Sequence, residues 1–347
     1  MHFSKIIINW YSINKRILPW RQTKDPYCIW LSEIILQQTQ VKQGLPYYKS
    51  FLDRYPSVFY LASADESEVL KLWQGLGYYS RARNLHATAK HIVENLDGKF
   101  PDNYKDLLKL KGVGDYTASA IASICFSEET AVVDGNVYRV LSRFFGIDTP
   151  INSTKGAKEF KKIAQELIDK KQPANFNQAI MEFGAIKCTP NNPDCITCPF
   201  NSKCIAFNKN RISKLPVKIK PTKAKKKYFN FLVFITEDGK TILEKREGKG
   251  IWQNLYQFPL VETNKNIGIE GFKDCVKNHD LLRHISYSLS LYNEDVIVHK
   301  LSHQHLYTKF WIVNVPTLHT SNKVSINKIR DFAVPILIGN FIESFNF

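Results

Sequence analysis

The sequence predicts a mainly α-helical domain that is closed by a four-cysteine loop and followed by a smaller α+β domain. Three observations support this fold class. Apolar residues recur at helical spacing from the start of the chain to about residue 187. Four cysteines then lie close together, and beyond about residue 228 the apolar period changes to two. With 347 residues, 44% of them hydrophobic, the chain is long enough for two domains with separate cores.

The first domain, at 1–210, is predicted to consist of consecutive helices whose connections carry Pro, Gly, Asp and Asn. The predicted helical segments are Ile29 to Leu36, Leu45 to Phe51, Val69 to Leu76, Leu85 to Val93, Tyr104 to Leu110, Ala118 to Cys125, Val137 to Phe145 and Phe160 to Ile168.

The cysteines of the loop are Cys188, Cys195, Cys198 and Cys204, which form a C-x6-C-x2-C-x5-C array. Four thiolates so close in sequence can hold one metal centre, and thiolate is a preferred ligand of iron–sulfur clusters and of zinc. The spacing leaves both groups open, with scattered structural thiols as a third alternative. The chain has seven cysteines, and their distribution does not suggest a disulfide framework.

Residues 211–227 are predicted to be a basic linker, because Pro216 and Pro221 disfavour a helix there. The linker contains no acidic residue and eight basic ones: Arg211, Lys214, Lys218, Lys220, Lys223, Lys225, Lys226 and Lys227. It either contacts phosphate or is a solvated tether.

The second domain, at 228–347, begins with a predicted strand at Phe229 to Thr236. Asp238-Gly239 is typical of a hairpin turn, after which Thr241 to Lys245 is predicted to return as the next strand. Asp295 to Lys300 and Phe310 to Val315 are further strand candidates.

The formal charge of +16 points to a polyanionic partner, of which nucleic acid is the most common, with a merely basic protein as the alternative. No apolar run is long enough to span a membrane, and Met1 to Leu18 lacks the pattern of a secretory signal. We therefore expect a cytoplasmic monomer, associated with the nucleoid if the source is bacterial, that does not bind membranes and keeps its cysteines reduced.

A glycine-containing turn joins two of the predicted helices at Leu110 to Thr117, in the pattern L-x-G-V-G-x-x-T. Gly112 and Gly114 allow a tight turn, and the free N–H groups of the helix that follows can bind phosphate. The pattern predicts a DNA-binding helix–hairpin–helix motif, against the alternative of an ordinary helical corner.

Two carboxylates are candidates for acid–base chemistry. Glu33 lies on a helix that is apolar on most sides, and desolvation there would raise its pKa, as a general acid requires. Asp134 precedes a predicted helix, where it can act as the N-cap, and capping is compatible with catalysis. The alternatives are a solvated helical Glu and a purely structural cap.

Together these segments resemble the helix–hairpin–helix DNA glycosylases of the endonuclease III superfamily, and within it the MutY family of adenine DNA glycosylases. The matching segments are Leu18 to Arg21, Ser32-Glu33, Leu36 to Val41, Gly75 to Tyr79, the hairpin, Val133 to Val137, Phe176 to Ala179 and the cysteine array. The resemblance covers almost the whole chain. In this family the cysteine array holds a 4Fe–4S cluster, so the resemblance implies that cofactor here.

The family excises adenine opposite 8-oxoguanine or guanine in double-stranded DNA after flipping the base out of the helix. The resemblance implies that Glu33 is the catalytic acid, that Asp134 stabilises the cationic sugar and that Asn136 orients the site. Repair or replication proteins are candidate partners for the linker.

Tyr116 occupies the position at which strand-cutting relatives carry a nucleophilic Lys. A phenol cannot form a Schiff base, so the resemblance implies a monofunctional glycosylase with Tyr116 assisting at the sugar. Trp20, Arg21 and Gln178 match positions that line the adenine pocket.

Gln38 and Tyr78 match residues that the family inserts into the helix around 8-oxoguanine. In the second domain, Leu301, Ser302 and His303 match a Phe-Ser-His loop that inspects this base. Leu301 departs from the family pattern because it replaces the aromatic wedge, which puts the strength of lesion recognition in doubt.

Gly250 to Pro259 resembles the Nudix-like C-terminal domain of the same family. The residues that follow contain too few paired carboxylates for a Nudix magnesium site, so the domain is expected to recognise DNA rather than hydrolyse nucleotides. An endonuclease III-like glycosylase and AP lyase, and a non-catalytic damage-binding protein, remain as alternative functions.

Overall fold

The computed structural model describes residues 3–220, 223–283 and 285–347. The chain divides into two compact units. The first comprises Met1–Ser63 and Asn84–Lys220, and the second comprises Ala64–Arg83 and Pro221–Phe347. No helix within the described residues is long and apolar enough to cross a membrane.

The chain is mainly helical up to residue 208. In chain order the helices are α1 (Phe3–Asn14), α2 (Pro26–Leu36), α3 (Val41–Arg54), α4 (Val58–Ser63), α5 (Glu66–Leu72), α6 (Ser80–Leu96), α7 (Tyr104–Leu107), α8 (Asp115–Phe126), α9 (Gly135–Phe145), α10 (Thr154–Leu167), α11 (Pro173–Ile186) and α12 (Ile205–Asn208). Helix α5 and the first residues of α6 belong to the second unit.

Local capping fixes where the helices near the predicted site begin. Helix α2 starts after Asp25, whose Oδ1 accepts hydrogen bonds from the backbone N–H groups of Tyr27 at 2.7 Å and Cys28 at 3.2 Å. Helix α9 starts after Asp134 by the same device and ends at Gly146, which has a φ of +68°. Carboxylate caps and a left-handed glycine are the usual signals for these positions.

Helix α11 lies at the centre of the first unit, where it packs against α1, α8 and α9. Its Asn177 is fully buried and makes three hydrogen bonds. The side chain accepts from the Val132 N–H at 3.1 Å and donates to Ser123 Oγ at 2.9 Å and to the Thr130 carbonyl at 2.8 Å. This one side chain therefore fixes the segment 130–132, which leads to Asp134.

The prediction of consecutive helices up to about residue 187 is confirmed. Each predicted segment overlaps a helix, while α1, α4, α11 and α12 lie outside the predicted segments. Helix α5 ends at Leu72 and α7 ends at Leu107, both earlier than expected, because the chain turns there towards Gly75 and Gly112, which have positive φ angles.

The second unit is built around a twisted sheet. The further elements are β1 (Lys225–Thr236), β2 (Lys240–Ile242), β3 (Glu244–Lys245), β4 (Tyr256–Gln257), β5 (Leu260–Thr263), α13 (Ile269–Val276), β6 (Ser288–Leu291), β7 (Ile297–Lys300), β8 (Gln304–Val315), β9 (Lys323–Ser325) and α14 (Ile336–Ser344). The main sheet has the order β5-β1-β8-β6, and β7 also pairs with β8. Strands β1 and β8 run parallel, and α13 covers one face, where Phe272 stacks on Trp311 with ring centroids 4.2 Å apart.

The predicted β1–β2 hairpin is wrong in its pairing. A turn does follow β1, where the Gly239 N–H donates to the Thr236 carbonyl at 3.1 Å. Strand β2, however, pairs with β9, so that Thr241 lies opposite Val324. The long parallel partner β8 takes one edge of β1 and β5 takes the other, which leaves β2 to pair elsewhere.

The segment 64–83 is held by the second unit through hydrogen bonds. Lys71 Nζ donates to the carbonyl of Arg330 at 2.5 Å, and Tyr79 Oη donates to the carbonyl of Val334 at 3.3 Å. Asn254 Nδ2 donates to Glu66 Oε1 at 2.6 Å. This segment carries the Gly75 to Tyr79 motif into the second unit.

Parts of the predicted linker have ordered contacts. The Ile151 N–H donates to the Val217 carbonyl, and Asn152 exchanges two hydrogen bonds with the backbone of Ile219. Lys225 is already the first residue of β1. Pro221, expected to disfavour a helix, lies outside the described residues.

We expect Asn177→Ala to lower the free energy of unfolding by on the order of 3 kcal/mol, because it leaves the buried Val132 N–H and Thr130 carbonyl without this partner and creates a cavity. Urea unfolding measures the change. Asn175→Ala is the matched control, since Asn175 is exposed and bonds only within its own helical turn. Equal stability of the two variants would contradict this role for Asn177.

Candidate active site

A cavity of about 670 Å³ in the first unit brings together the residues predicted for base removal. Its lining includes all four predicted catalytic residues, the three predicted adenine-pocket residues and Gln38: Glu33, Tyr116, Asp134, Asn136, Trp20, Arg21, Gln178 and Gln38. They come from α2, α8, α9, α11 and the segments that flank α2. Residues separated by more than 100 positions in sequence thus share one cavity.

Glu33 is buried, with only 7% of its surface exposed. Burial raises the pKa of its carboxyl from 4.5 to about 7, while a hydrogen bond with Tyr116 opposes the shift and the charge of Asp134 adds to it. A carboxyl with this pKa carries a proton at neutral pH in an appreciable fraction of molecules. Glu33 is therefore suited to donate a proton.

Asp134 is held by three hydrogen bonds at the start of α9. Its Oδ1 accepts from the N–H groups of Asn136 at 2.9 Å and Val137 at 2.8 Å, and its Oδ2 accepts from Asn136 Nδ2 at 2.8 Å. Burial raises the pKa of Asp134, but these bonds favour the anion and oppose the shift. Because Glu33 receives no comparable set of backbone donors in the described contacts, a proton shared between the two carboxyls favours Glu33.

The Asn136 side chain connects Asp134 to the cysteine loop through Arg139. Arg139 Nη2 donates to Asn136 Oδ1 at 2.8 Å and to the Gly184 carbonyl at 2.6 Å, and Arg139 Nε donates to the Cys188 carbonyl at 2.7 Å. Gly184 permits this close packing, since a Cβ there would lie 2.6 Å from Asn136 Cβ. The first cysteine and the carboxylate are thus linked by fixed hydrogen bonds.

Tyr116 lies beside both carboxylates. Burial, together with the charges of Glu33 and Asp134, raises the pKa of the phenol well above its usual value. Its hydroxyl lies 3.2 Å from Met181 Sδ. The group is neutral and cannot act as an amine nucleophile, so no Schiff-base chemistry is available at this position.

Glu182 and Arg16 line the same cavity and were not found from the sequence. The buried Glu182 carboxylate accepts paired hydrogen bonds from Arg21 at 2.8 and 3.0 Å and from Arg16 at 2.6 and 2.8 Å. Burial opposes ionisation, but these bonds outweigh it and lower the pKa of Glu182 to about 2. A carboxylate within the apolar run of α11 requires such partners, and that requirement was the signal in the sequence.

The helix–hairpin–helix turn lies between α7 and α8, with Gly112 at a φ of +79° and Gly114 as the N-cap of α8. Asp115 places a negative charge beside the N–H groups that are predicted to bind phosphate. Lys161 Nζ neutralises it at 2.9 Å and also donates to the Ala131 carbonyl at 2.7 Å. Lys161 therefore supports both the hairpin and the segment that leads to Asp134.

A second cavity, of about 510 Å³, lies within the second unit and is lined by Tyr78, Leu301, Ser302 and His303. Tyr78 is 52% exposed and has a φ of +46°, which is uncommon for a residue with a side chain. Gln38, in the first unit, also has a positive φ, +55°. Such backbone strain is concentrated at functional sites.

The four cysteines line one cavity of the first unit together with Arg143 and Phe200. Arg143 lies on α9, and its guanidinium donates to the carbonyls of Thr189 at 2.7 Å and Pro190 at 2.9 Å. A zinc ion would require four sulfurs about 2.3 Å from one point. In the described part of the chain, no three or more His, Cys, Asp or Glu side chains are placed to hold a single metal ion.

Comparison with known proteins places the chain in a family. Residues 31–170 match the HhH-GPD superfamily of base excision DNA repair proteins, and residues 230–344 match the NUDIX domain. An adenine DNA glycosylase of Buchnera aphidicola subsp. Schizaphis graminum is 40% identical over 75% of this chain and 75% of the relative. Another, from subsp. Baizongia pistaciae, is 36% identical over 93% of this chain and 88% of the relative.

The chain belongs to the adenine DNA glycosylase family. The human adenine DNA glycosylase is 45% identical over 59% of this chain, although the match covers 39% of that protein. Membership confirms the predicted fold class, and the protein is a DNA-binding glycosylase of base-excision repair.

Solved structures support the same fold for the first part of the chain. A thermostable thymine-DNA glycosylase is 31% identical, with a TM-score of 0.56, and the match covers 60% of this chain and 95% of that chain. The protein of an endonuclease III–DNA complex is 20% identical, with a TM-score of 0.52. The match covers 60% of this chain and 94% of the endonuclease III chain, and it shows the fold alone.

We expect Glu33→Gln to stabilise the protein at alkaline pH. Because the pKa of Glu33 is raised, the folded state binds more protons than the unfolded state between pH 4.5 and about 7, so its carboxyl lowers stability as the pH rises through this range. The variant should be more stable by on the order of 3 kcal/mol at pH 8 and equal to wild type near pH 4.5.

Thermal unfolding across this pH range measures the difference. Glu166→Gln, at an exposed position of α10, is the control and should change stability little at either pH. A Glu33→Gln effect that does not depend on pH would show that Glu33 is not buried with a raised pKa.

Proposed function

We propose that the protein hydrolyses the N-glycosidic bond of adenine opposite 8-oxoguanine or guanine in double-stranded DNA, without cutting the strand. The observation that carries this proposal is the pair of carboxyls in one cavity, Glu33 with a pKa of about 7 and Asp134 fixed by three hydrogen bonds. The neutral phenol of Tyr116, in place of an amine, supports the monofunctional reaction.

The reaction follows from the different states of the two carboxyls. Glu33 donates its proton to a ring nitrogen of the flipped adenine, so that the bond between the base and the sugar breaks with its electron pair on the base. The sugar carries positive charge, which the Asp134 carboxylate stabilises. Water then attacks the sugar and gives its proton to the Glu33 carboxylate, while Asn136 holds Asp134 in place.

The adenine pocket is proposed to be formed by Trp20, Arg21 and Gln178, with Glu182 holding Arg21 in place. Trp20 is buried edge-to-face against Tyr48, with ring centroids 5.1 Å apart. Arg21 is held by Glu182, so its guanidinium has a fixed direction. A donor fixed in this way suits a base whose edge carries acceptor groups.

Reading of the opposite base is proposed for the second unit. Tyr78 lies at the same cavity as the turn Leu301 to His303, which is closed by the Leu301 N–H donating to the Gln304 carbonyl at 2.9 Å. Ser302 and His303 are exposed and can form hydrogen bonds with an oxidised base. Leu301 can enter a base step as an apolar wedge but lacks an aromatic face. Gln38 is proposed as the inserted residue of the first unit.

The cysteine cavity is proposed to hold a 4Fe–4S cluster through Cys188, Cys195, Cys198 and Cys204. The four thiols line one cavity, thiolates are the ligands of such clusters, and the resemblance to the family implies this cofactor. A cluster would supply structural cross-linking of the loop, and base removal requires no metal. We further propose a reducing cytoplasmic or nucleoid location, a monomer, and the linker as a docking segment for repair or replication proteins.

One assay separates this function from its alternatives. The protein is incubated with duplexes that carry adenine opposite 8-oxoguanine, guanine or thymine, and each sample is analysed with and without hot alkali. We expect strand breaks for the first two duplexes, only after alkali, and loss of at least about 100-fold in rate for Glu33→Gln. Breaks without alkali support the lyase, and no excision from any duplex supports a non-catalytic binder.

The cluster is tested by composition and by substitution. We expect about four irons and four sulfides per chain, with a visible absorption band, and Cys198→Ser should lose iron, lower thermal stability and weaken DNA binding. Cys275→Ser is the control, since Cys275 is exposed and remote in sequence from the array. One zinc and no sulfide per chain would contradict the proposed cofactor.

A further inference from the structure

Helix α13 covers part of one face of the main sheet in the second unit. The rest of that face is not covered by α13. On this face, β8 presents His305, Tyr307, Lys309 and Trp311 in alternation. Trp311 lies under Phe272 of α13, and Lys309 Nζ is buried against the Ile267 carbonyl at 2.7 Å. The covered part of the face therefore ends at Lys309, and the remainder continues towards the turn at 301–303.

Three basic side chains form a row across the uncovered part of this face. Strand register places Lys226 of β1 opposite His305 of β8, and His305 opposite Lys300 of β7. Residues directly opposite each other in a sheet point to the same face, and neighbouring strands are about 4.8 Å apart. The row therefore spans about 10 Å and carries two lysines and one imidazole. Lys226 and Lys300 are both exposed.

Two tyrosines lie directly behind the row on the same face. Tyr228 and Tyr307 are paired in register, and their rings pack with centroids 5.2 Å apart at 31°. The Lys226 ammonium lies 5.7 Å from the centre of the Tyr307 ring, so a cation–π contact holds it over the face. Val298 of β7, opposite Tyr307 and 41% exposed, completes the surface.

On this face, the charged side chains of the strands are basic. Among the described residues of β1, β5, β7 and β8, Glu262 is the one carboxylate. Register places it opposite Phe229, which is buried on the other face, and its Oε2 pairs with Lys227 Nζ at 2.9 Å. The row Lys226, His305 and Lys300 therefore has no acidic neighbour on its own face within these strands.

We propose that this surface, formed by Lys226, Tyr228, Val298, Lys300, His305 and Tyr307, binds the phosphate backbone of DNA next to the opposite base. This proposal rests on the proposed function, which assigns the turn 301–303 to reading that base. Lys300 and His305 flank the turn directly, and the Lys225 N–H donates to the His303 carbonyl at 3.1 Å, so the row is continuous with the turn.

DNA suits this surface better than an acidic peptide does. Duplex DNA carries one negative charge per ~1.7 Å of its axis, so a row of about 10 Å faces several phosphates at once. Lysines placed over aromatic rings, with tyrosine hydroxyls beside them, are groups that commonly contact phosphate and sugar. Contacts of this kind set the position of the duplex, which would keep the turn in register with the base it inspects.

The test is the salt dependence of DNA binding by the full-length, cluster-containing protein. The probe is a duplex with 8-oxoguanine opposite a tetrahydrofuran abasic analogue, which cannot be turned over. We expect Lys226→Gln/Lys300→Gln to reduce the slope of log Kd against log salt by about two and to weaken binding by roughly 10-fold at physiological salt. Lys226→Arg/Lys300→Arg should restore both.

The matched control is Lys273→Gln on α13 combined with Lys277→Gln at the residue after it, which removes the same charge from exposed positions of the same unit. It should leave the slope unchanged. Equal slopes for wild type and the β1/β7 double variant, or equal losses for both double variants, would overturn the proposal. An acidic peptide that binds wild type but not the β1/β7 variant, with DNA slopes unchanged, would also overturn it.

A separate measurement distinguishes failure of this proposal from failure of the proposed function. Excision from the adenine–8-oxoguanine duplex is measured for wild type alone. If the wild type excises adenine and the β1/β7 substitutions leave the salt slope unchanged, only the DNA-binding proposal fails. If the wild type does not excise adenine but the β1/β7 substitutions reduce the salt slope, the DNA-binding proposal stands and the proposed glycosylase specificity fails.

Discussion

The capping of α9 by Asp134 is the interaction on which the geometry of the candidate site depends. Asp134 caps this helix with the same carboxylate that faces the cavity, so the fold and the chemistry use one side chain. The helix is then held from its far side, because Arg139 and Arg143 bind backbone carbonyls of the cysteine loop. A displaced loop would therefore release α9, and a displaced α9 would move Asp134 out of its place in the cavity. The cysteine loop is thereby connected to Asp134 through α9.

Two buried carboxyl groups of the cavity have pKa values that are shifted in opposite directions. Glu33 has few partners and keeps a raised pKa, while Glu182 has two arginines and a pKa of about 2. The difference follows from hydrogen bonding rather than from burial, which opposes ionisation in both. One carboxyl can hold a proton and the other cannot, within the same cavity. The cavity thus contains one carboxyl suited to hold a proton and one ionised carboxylate that fixes the two arginines.

Much of the site could be predicted from sequence, and the failures have physical causes. Glu33 and Asp134 stood in recognisable local patterns, a helix apolar on most sides and a cap. Glu182 was missed because its partners Arg16 and Arg21 are more than 150 positions away, and no local pattern records such a pair.

The predicted β1–β2 hairpin failed for a similar reason. Alternation of apolar residues predicts a strand, but the partner of β2 is β9, and that choice depends on which strands occupy the edges of β1. Local signals also do not determine which core an isolated helix joins, as α5 shows. The domain bounds at 210 and 228 and the catalytic roles stay predictions.

The placement of residues 64–83 has a consequence for how the protein can be divided. The chain passes from one unit to the other after Ser63, after Arg83 and after Lys220, so a cut at the basic linker alone does not separate two self-contained pieces. A fragment that stops at 220 would keep Lys71 and Tyr79 but lose the carbonyls of Arg330 and Val334 that they bind. Each unit is therefore assembled from two separate stretches of chain, and residues 64–83 reach their partners only when the chain beyond residue 220 is present.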